Sequence, residues 1–206
     1  RDVAKSFINA NSTNEIIFTR GATDSINIIA NSLAEHLNKG DKIVVTELEH
    51  HSNYLPWMHL CKKLELELKI IPISKEGILS EEEIINNCDD TTKVLSLTHM
   101  SNVTGQILDI KKIKQEINKD IYVAVDGCQS IAHLNIDVKD LDCDFYSFSS
   151  HKLYGPSGIG IMYGKEDILN QLNPPTLGGG MINEVSSNDF SYAMLPNKFE
   201  PGTPSI

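Results

Sequence analysis

Short apolar runs of strand length recur along this chain and constrain its fold more than any other feature. Glu15–Thr19 (EIIFT), Lys42–Thr46 (KIVVT), Leu68–Ile73, Lys93–Thr98 (KVLSLT), Tyr122–Val125 (YVAV), Asp144–Ser149 and Ile159–Tyr163 read as strands. Several are apolar at successive positions instead of alternating, as in strands covered on both faces. Helical spacing fills the gaps. Ile26, Ile29, Ala30, Leu33 and Leu37 share one face, closed by Gly40. Tyr54–Leu64 reads as a helix with Pro56 near its start, where a missing N–H is harmless. Ser80 followed by Glu81, Glu82 and Glu83 opens a short helix through Asn87. Ile110–Ile117 and Glu166–Leu172 complete the set. This alternation predicts an α/β fold with a mostly parallel, mixed sheet of the seven-stranded type, flanked by helices. After Leu172 the chain turns loop-rich (Pro174, Pro175, Gly178–Gly180, Pro196), so the expected core spans 1–175 and a loop-rich segment spans 176–206.

Composition excludes several functions. The 206 residues carry 18 basic and 28 acidic side chains, a net charge of −10 and a pI near 5.1. Such a surface repels phosphates, which argues against a nucleic-acid or anionic-membrane partner. No apolar run approaches the roughly 20 residues of a membrane-spanning helix. Cys61, Cys88, Cys128 and Cys143 are too scattered for a disulfide framework and point to a reducing compartment; most read as small buried hydrophobes, while Cys128 falls in the expected site region beside a strand end. Val3, Ala4, Phe7 and Ile8 already lie on one helical face, and the last residues are turn-rich, so the expectation is a fragment of a longer protein.

Ligands of parallel α/β sheets bind beyond the carboxyl ends of the strands. That rule selects Gly21-Ala22-Thr23, Glu49-His50-His51, Ser101-Asn102, Asp126 to Gln129 and Ser149 to Lys152. Asp126 closes an apolar strand, where it either caps the next turn or meets a cationic partner. Lys152 follows a strand among hydroxyls and an imidazole, where a lysine serves as an imine-forming amine or as a basic loop residue. Thr23 at a helix start suits a phosphate, or is a plain cap. Adjacent His50 and His51 do not share a strand face, and no HExxH or CxxC spacing occurs, so no metal is expected.

Seven segments together, in order along the chain, carry a resemblance: Arg20–Thr23 (RGAT), Glu49–Trp57 (EHHSNYLPW), Thr98–Gly105 (THMSNVTG), Val125–Gln129 (VDGCQ), Asp142–Tyr146 (DCDFY), Ser149–Gly160 (SSHKLYGPSGIG) and Phe199–Pro204 (FEPGTP). They resemble the cysteine desulfurases of the class V aminotransferase group, fold-type I pyridoxal-phosphate (PLP) enzymes. The EHH…PW run and Ser157 resemble the SufS-type (group II) branch. The resemblance implies roles for individual residues. Lys152 matches the lysine that holds PLP covalently, Asp126 the carboxylate on the pyridine nitrogen, and His50 the imidazole stacked on the ring. Gln129 matches the residue on the phenolic oxygen, with Asn102 beside the same edge. Thr23, Ser149 and His151, with Ala22 of the first segment, match the phosphate site. Thr203 matches the threonine reaching a neighbouring subunit's cofactor, which implies a homodimer and gives 176–206 its dimer and cofactor contacts.

The implied chemistry is sulfur removal from L-cysteine, giving alanine and an enzyme persulfide. That persulfide passes to a SufU- or SufE-like acceptor and an iron–sulfur scaffold. The implied place is the cytoplasm, with an organelle such as a plastid open. None of the four cysteines matches the nucleophile, which with the carboxylate-binding arginine belongs to a small C-terminal domain expected beyond Ile206. Selenocysteine lyase, another class V aminotransferase or kynureninase-like enzyme, and a non-catalytic PLP-binding dimerisation fragment stay open as alternatives.

Overall fold

The computed structural model describes residues 1–203. Its elements follow the sequence closely: α1 (Asp2–Phe7), β1 (Ile16–Thr19), α2 (Ala22–Leu33), β2 (Lys42–Thr46), α3 (His51–Leu64), β3 (Glu67–Ile71), α4 (Glu81–Asn86), β4 (Thr92–Thr98), α5 (Ile110–Glu116), β5 (Tyr122–Asp126), α6 (Val138–Leu141), β6 (Phe145–Ser149), β7 (Gly160–Gly164), α7 (Glu166–Gln171), β8 (Ile182–Val185) and β9 (Phe190–Tyr192). Among the described residues, β1 to β7 form one mixed sheet in the order β1-β7-β6-β5-β4-β2-β3. Neighbours from β3 to β6 pair in parallel, and β7 runs antiparallel to both β6 and β1. The carboxyl ends of β1 to β6 and the start of β7 therefore share one edge.

The continuous apolar runs have the expected cause: successive residues of a strand face opposite layers. In β2, Val44 packs into one core while Ile43 and Val45 pack into the other. Tyr146 and Phe148 of β6 join the first, and Phe145 the second. The first core is covered by α4, α5 and α6 through Ile84, Ile110, Ile113 and Val138. The second is covered by α2, α3 and α7 through Ile26, Ile29, Leu33, Trp57, Leu60 and Leu169. The edge strand β1 is blunted by side chains. Phe18 N–H donates to Glu200 Oε1 at 2.6 Å, and Arg1 donates to the Ile16 carbonyl and grips Glu200 through both carboxylate oxygens. Among the described residues no helix is long and apolar enough to cross a membrane.

Four details differ from the sequence reading. Helix α3 begins at His51, so Pro56 lies inside it instead of at its start; the cap is His50, whose ring accepts the Ser52 N–H. Helix α2 ends at Leu33 and passes through a 3-10 turn (Ala34–His36), leaving Gly40 (φ +90°) to turn the chain into β2 instead of capping the helix. The segment 176–206, expected as loop, contains the β8–β9 hairpin. Helix α1 forms, but Val3 and Phe7 are exposed and only the following Ile8 enters the core.

Gly127 shows how tightly the edge beneath the site is packed. A Cβ there would lie 2.0 Å from the ring of Tyr146, which is fully buried. Gly127→Ala in the full-length protein is expected to lose about 3 kcal/mol, the upper range of overpacking a closed core. Chemical denaturation measures this, and a loss below about 1 kcal/mol would show that Tyr146 can move aside.

Candidate functional site

The five selected segments meet at the common edge of the sheet because each lies at or just after the carboxyl end of a strand that ends there. Gly21 ends the turn after β1 in an extended positive-φ conformation (φ +150°) and caps α2. Two missing side chains let the backbones meet here. A Cβ on Gly21 would sit 3.3 Å from Ser149 Oγ, and a Cβ on Gly160 would fall 2.5 Å from Gly21 Cα. Ala22 N–H donates to Ser149 Oγ at 2.8 Å, which ties α2 to the end of β6. The first-turn N–H groups and the positive end of the α2 dipole open onto a cleft of about 930 Å³. Arg20, Thr23, Ser149 and His151 line it with Ser157 and Pro175. Backbone N–H groups, hydroxyls and an imidazole thus line this end of the cleft together with the Arg20–Asp24 ion pair, a chemistry able to receive an anion.

Thr23 also connects to the histidine segment. Its Oγ1 lies 2.8 Å from Ser52 Oγ, which lies 3.1 Å from His50 Nδ1. Because Nδ1 accepts the Ser52 N–H at 3.2 Å, a neutral His50 carries its proton on Nε2. His50 and His151 are both exposed.

Asp126 ends β5 and is 4 % exposed. Its Oδ1 accepts the Cys128 N–H at 3.0 Å, and among the described residues no lysine or arginine comes within ion-pair distance. Burial raises its pKa above the ordinary carboxylate value; the Cys128 N–H, and the charges of His50 and Lys152, pull it back. Neither side chain hydrogen-bonds to the carboxylate among the described residues. Lys152 lies exposed on the 3-10 turn Ser150–Leu153 that follows β6. Gln129 is half-buried on the turn after Asp126, and Asn102 is exposed after β4. Lys152 and Asp126 do not line the 930 Å³ cleft, which holds the Thr23, Ser149 and His151 part of the site. Thr203 is exposed beside Gly179, held by the Gly202 N–H to Gly179 carbonyl bond of 2.8 Å, and makes no hydrogen bond to the cradle among the described residues.

The cysteines are free thiols held back from ionisation. Burial raises Cys61 and Cys88 to about 11, and burial with the Asp126 charge raises Cys128 to about 12. Cys143 is fully buried and pushed higher still. Cys128 is only partly buried and sits against Asp126, in the region where the sequence placed it.

A second layer of polar residues was not singled out from the sequence. Tyr146 OH lies 3.0 Å from His99 Nδ1 and 2.6 Å from Ser130 Oγ, and Ser130 donates to the Gly127 carbonyl. This chain holds the turn that carries Asp126. Burial drives the His99 pKa down to about 4, so its ring is neutral. Asn53 donates to Glu49 Oε2 at 2.6 Å and accepts from Ser96 Oγ and Trp57 Nε1. The four-residue spacing of Glu49, Asn53 and Trp57 is the signal that a helical reading beginning at His51 would have exposed.

The whole chain, residues 1–206, matches the family model described as aminotransferase class-V. It is 47% identical over 208 residues to a probable cysteine desulfurase of Staphylococcus epidermidis and 45% identical to one of Staphylococcus aureus, with 100% of the chain covering 50% of each. The chain thus spans about half the length of the curated relatives it matches. Among solved structures, it superposes on a cysteine desulfurase from Escherichia coli with a TM-score of 0.94 at 36% identity, over 98% of this chain and 51% of that one. The apo cysteine desulfurase from Thermococcus onnurineus NA1 gives a TM-score of 0.93 at 36% identity, with the same coverage. The sheet order, the capped α2 turn and the full-length family match agree, and the chain belongs to the class V aminotransferases.

Proposed function

We propose that this chain holds PLP and is the cofactor-binding part of a cysteine desulfurase that takes L-cysteine. The observation that carries the reading is Asp126: a buried carboxylate lacking an ion-pair partner, at the strand edge, faced by Lys152 and His50. An uncompensated buried charge is costly, and a protonated ring nitrogen is the partner this position lacks. The glycine-walled cradle at α2 fits the phosphate.

When bound, PLP supplies an aldehyde that captures an amine and a ring that withdraws electrons from Cα. The residues of this chain do the rest. Thr23 and His151 donate to the phosphate, as does Ser149, whose Oγ accepts the Ala22 N–H and keeps its own hydrogen free. Asp126 would hold the proton on the ring nitrogen, His50 would lie against the ring, and Gln129 and Asn102 would meet its phenolic oxygen. Lys152 Nζ, exposed on the turn after β6, would hold the cofactor's aldehyde carbon and would move the proton at the substrate Cα. With its four thiols disfavoured as thiolates, the chain offers no primed sulfur nucleophile among its described residues. We assign that cysteine to residues outside this chain. Residues 1–175 are the cofactor-binding core in this reading. Residues 176–206 serve the partner subunit of a homodimer, with Thr203 reaching the partner's phosphate. The persulfide sulfur goes to a SufU- or SufE-like acceptor for iron–sulfur assembly in the cytoplasm.

Titrating the full-length apoprotein with PLP tests the reading. An absorption band shifted from that of free PLP is expected to appear at one equivalent. Thr23→Val is expected to weaken PLP binding about tenfold, the worth of one hydrogen bond to a charged group. An unshifted spectrum would count against the cofactor, and unchanged affinity in the variant against the cradle.

A further inference from the structure

We propose that Glu200 is a positioning residue: clasped to the open edge of β1, it holds the strap 198–203 so that Thr203 is presented to the cofactor site of a second copy of this chain. This inference rests on the cofactor reading above. The strap is anchored almost residue by residue. Lys198 Nζ donates to the Leu169 and Asn170 carbonyls at the end of α7, at 3.3 and 3.0 Å. Phe199 is buried in the second core. Pro201 has its φ fixed by its ring. Gly202 takes a φ of +83°, which suits glycine, and its N–H donates to the Gly179 carbonyl at 2.8 Å. Thr203 follows, exposed, with no hydrogen bond of its own among the described residues.

Glu200 is the anchor that joins this strap to the sheet. β1 is the outermost strand, with no neighbouring strand on its far side. The Arg1–Glu200 pair takes that place. Phe18 N–H and Arg1 Nη1 both donate to Glu200 Oε1, at 2.6 and 2.7 Å, and Arg1 Nη2 donates to Oε2 at 2.8 Å. Arg1 also donates to the Ile16 carbonyl, and its guanidinium lies 4.4 Å from the centre of the Phe18 ring. The two side chains are only 21 % and 20 % exposed, so water competes less with this pair than with a surface ion pair. Three N–H donors on two oxygens require a carboxylate. An amide keeps one oxygen and sets its own NH₂ against the guanidinium. The clasp thus ties the strap to the strand whose carboxyl end opens into the Gly21 turn and α2. A strap fixed in advance needs no further ordering when the second copy's phosphate arrives, and binding is tighter for it.

Mixed dimers of the full-length protein test the assignment. Glu200→Gln homodimers are expected to bind PLP about tenfold more weakly than wild type, as when the competent strap falls to about a tenth of the population. In a mixed dimer of Glu200→Gln with Lys152→Ala, a shifted PLP band arises only at the site of the Glu200→Gln subunit, which keeps its lysine. That site is served by the unaltered strap of the Lys152→Ala subunit, so the band is expected to titrate with wild-type affinity. A band that stays weakened in the mixed dimer overturns the proposal, because a defect confined to the altered subunit's own fold would persist there. Glu200→Gln added to Thr203→Ala is expected to weaken binding no further than Thr203→Ala alone, and an additive loss overturns the link to Thr203. Should Glu200→Gln not fold, Arg1→Lys takes its place with the same expectations, since lysine keeps the charge without the two-pronged grip. Hydrogen exchange in the apoprotein reads the clasp without cofactor. The Phe18 amide is expected to exchange faster in the variant, and unchanged exchange overturns the clasp. If wild type shows no shifted band while the Phe18 amide still responds, the cofactor reading fails and the clasp stands.

Discussion

Lys152→Ala is expected to lower alanine release from L-cysteine by at least about 10⁴-fold, the upper range for removing a positioned proton-transfer group. The expected loss is large because, in the proposed reading, one Nζ performs two tasks, holding the cofactor and moving the Cα proton. The side chain sits exposed on the Ser150–Leu153 turn and packs into neither core, so its removal leaves the fold intact. Thermal midpoints of the apoproteins are expected to agree within about a degree, since a surface change of this kind costs under about 0.5 kcal/mol. Chromatographic measurement of alanine checks the rate. A residual rate within tenfold of wild type would remove Lys152 from the chemistry.

Asp126→Asn is expected to cost about 10³-fold in turnover. Removing one partner of a buried ion pair costs roughly 3–5 kcal/mol, or two to four decades in rate. Asparagine can still accept the Cys128 N–H that Asp126 Oδ1 accepts now, so the turn keeps its shape. The variant is therefore expected to bind PLP with a spectrum shifted toward the unprotonated ring and to fold as wild type does. A rate near wild type would mean that ring-nitrogen protonation does not depend on this carboxylate. The two substitutions separate a proton-moving role from an electrostatic one.

The sheet was legible because burial on both faces leaves a mark that needs no tertiary knowledge: Ile43, Val44 and Val45 can be apolar in succession only between two layers. Strand ends were legible for the same reason, and with them the segments that meet at the site. The β8–β9 hairpin was not, since Glu184 and Val185 are both exposed and impose no alternation. Pro56 was misplaced because α3 gains a turn from the His50 cap, a side-chain bond that outweighs the proline's missing donor. The layer beneath the site was hidden for another reason. Asn53 meets Ser96 and His99 meets Tyr146 across more than forty residues, and nothing local records which strands lie side by side. Thr203 stands exposed, and its expected role requires a second subunit.

Strand β1 pairs with β7, matching Ile16 to Tyr163 and Thr19 to Gly160. The phosphate cradle joins the turn after β1 to the end of β6, so its two halves leave the ribosome well over a hundred residues apart. At roughly 5–20 residues per second, the amino-terminal half waits many seconds for its counterpart. A nascent chain stalled before Gly164 would expose the unpaired flank of β1 to chaperones and to neighbouring chains.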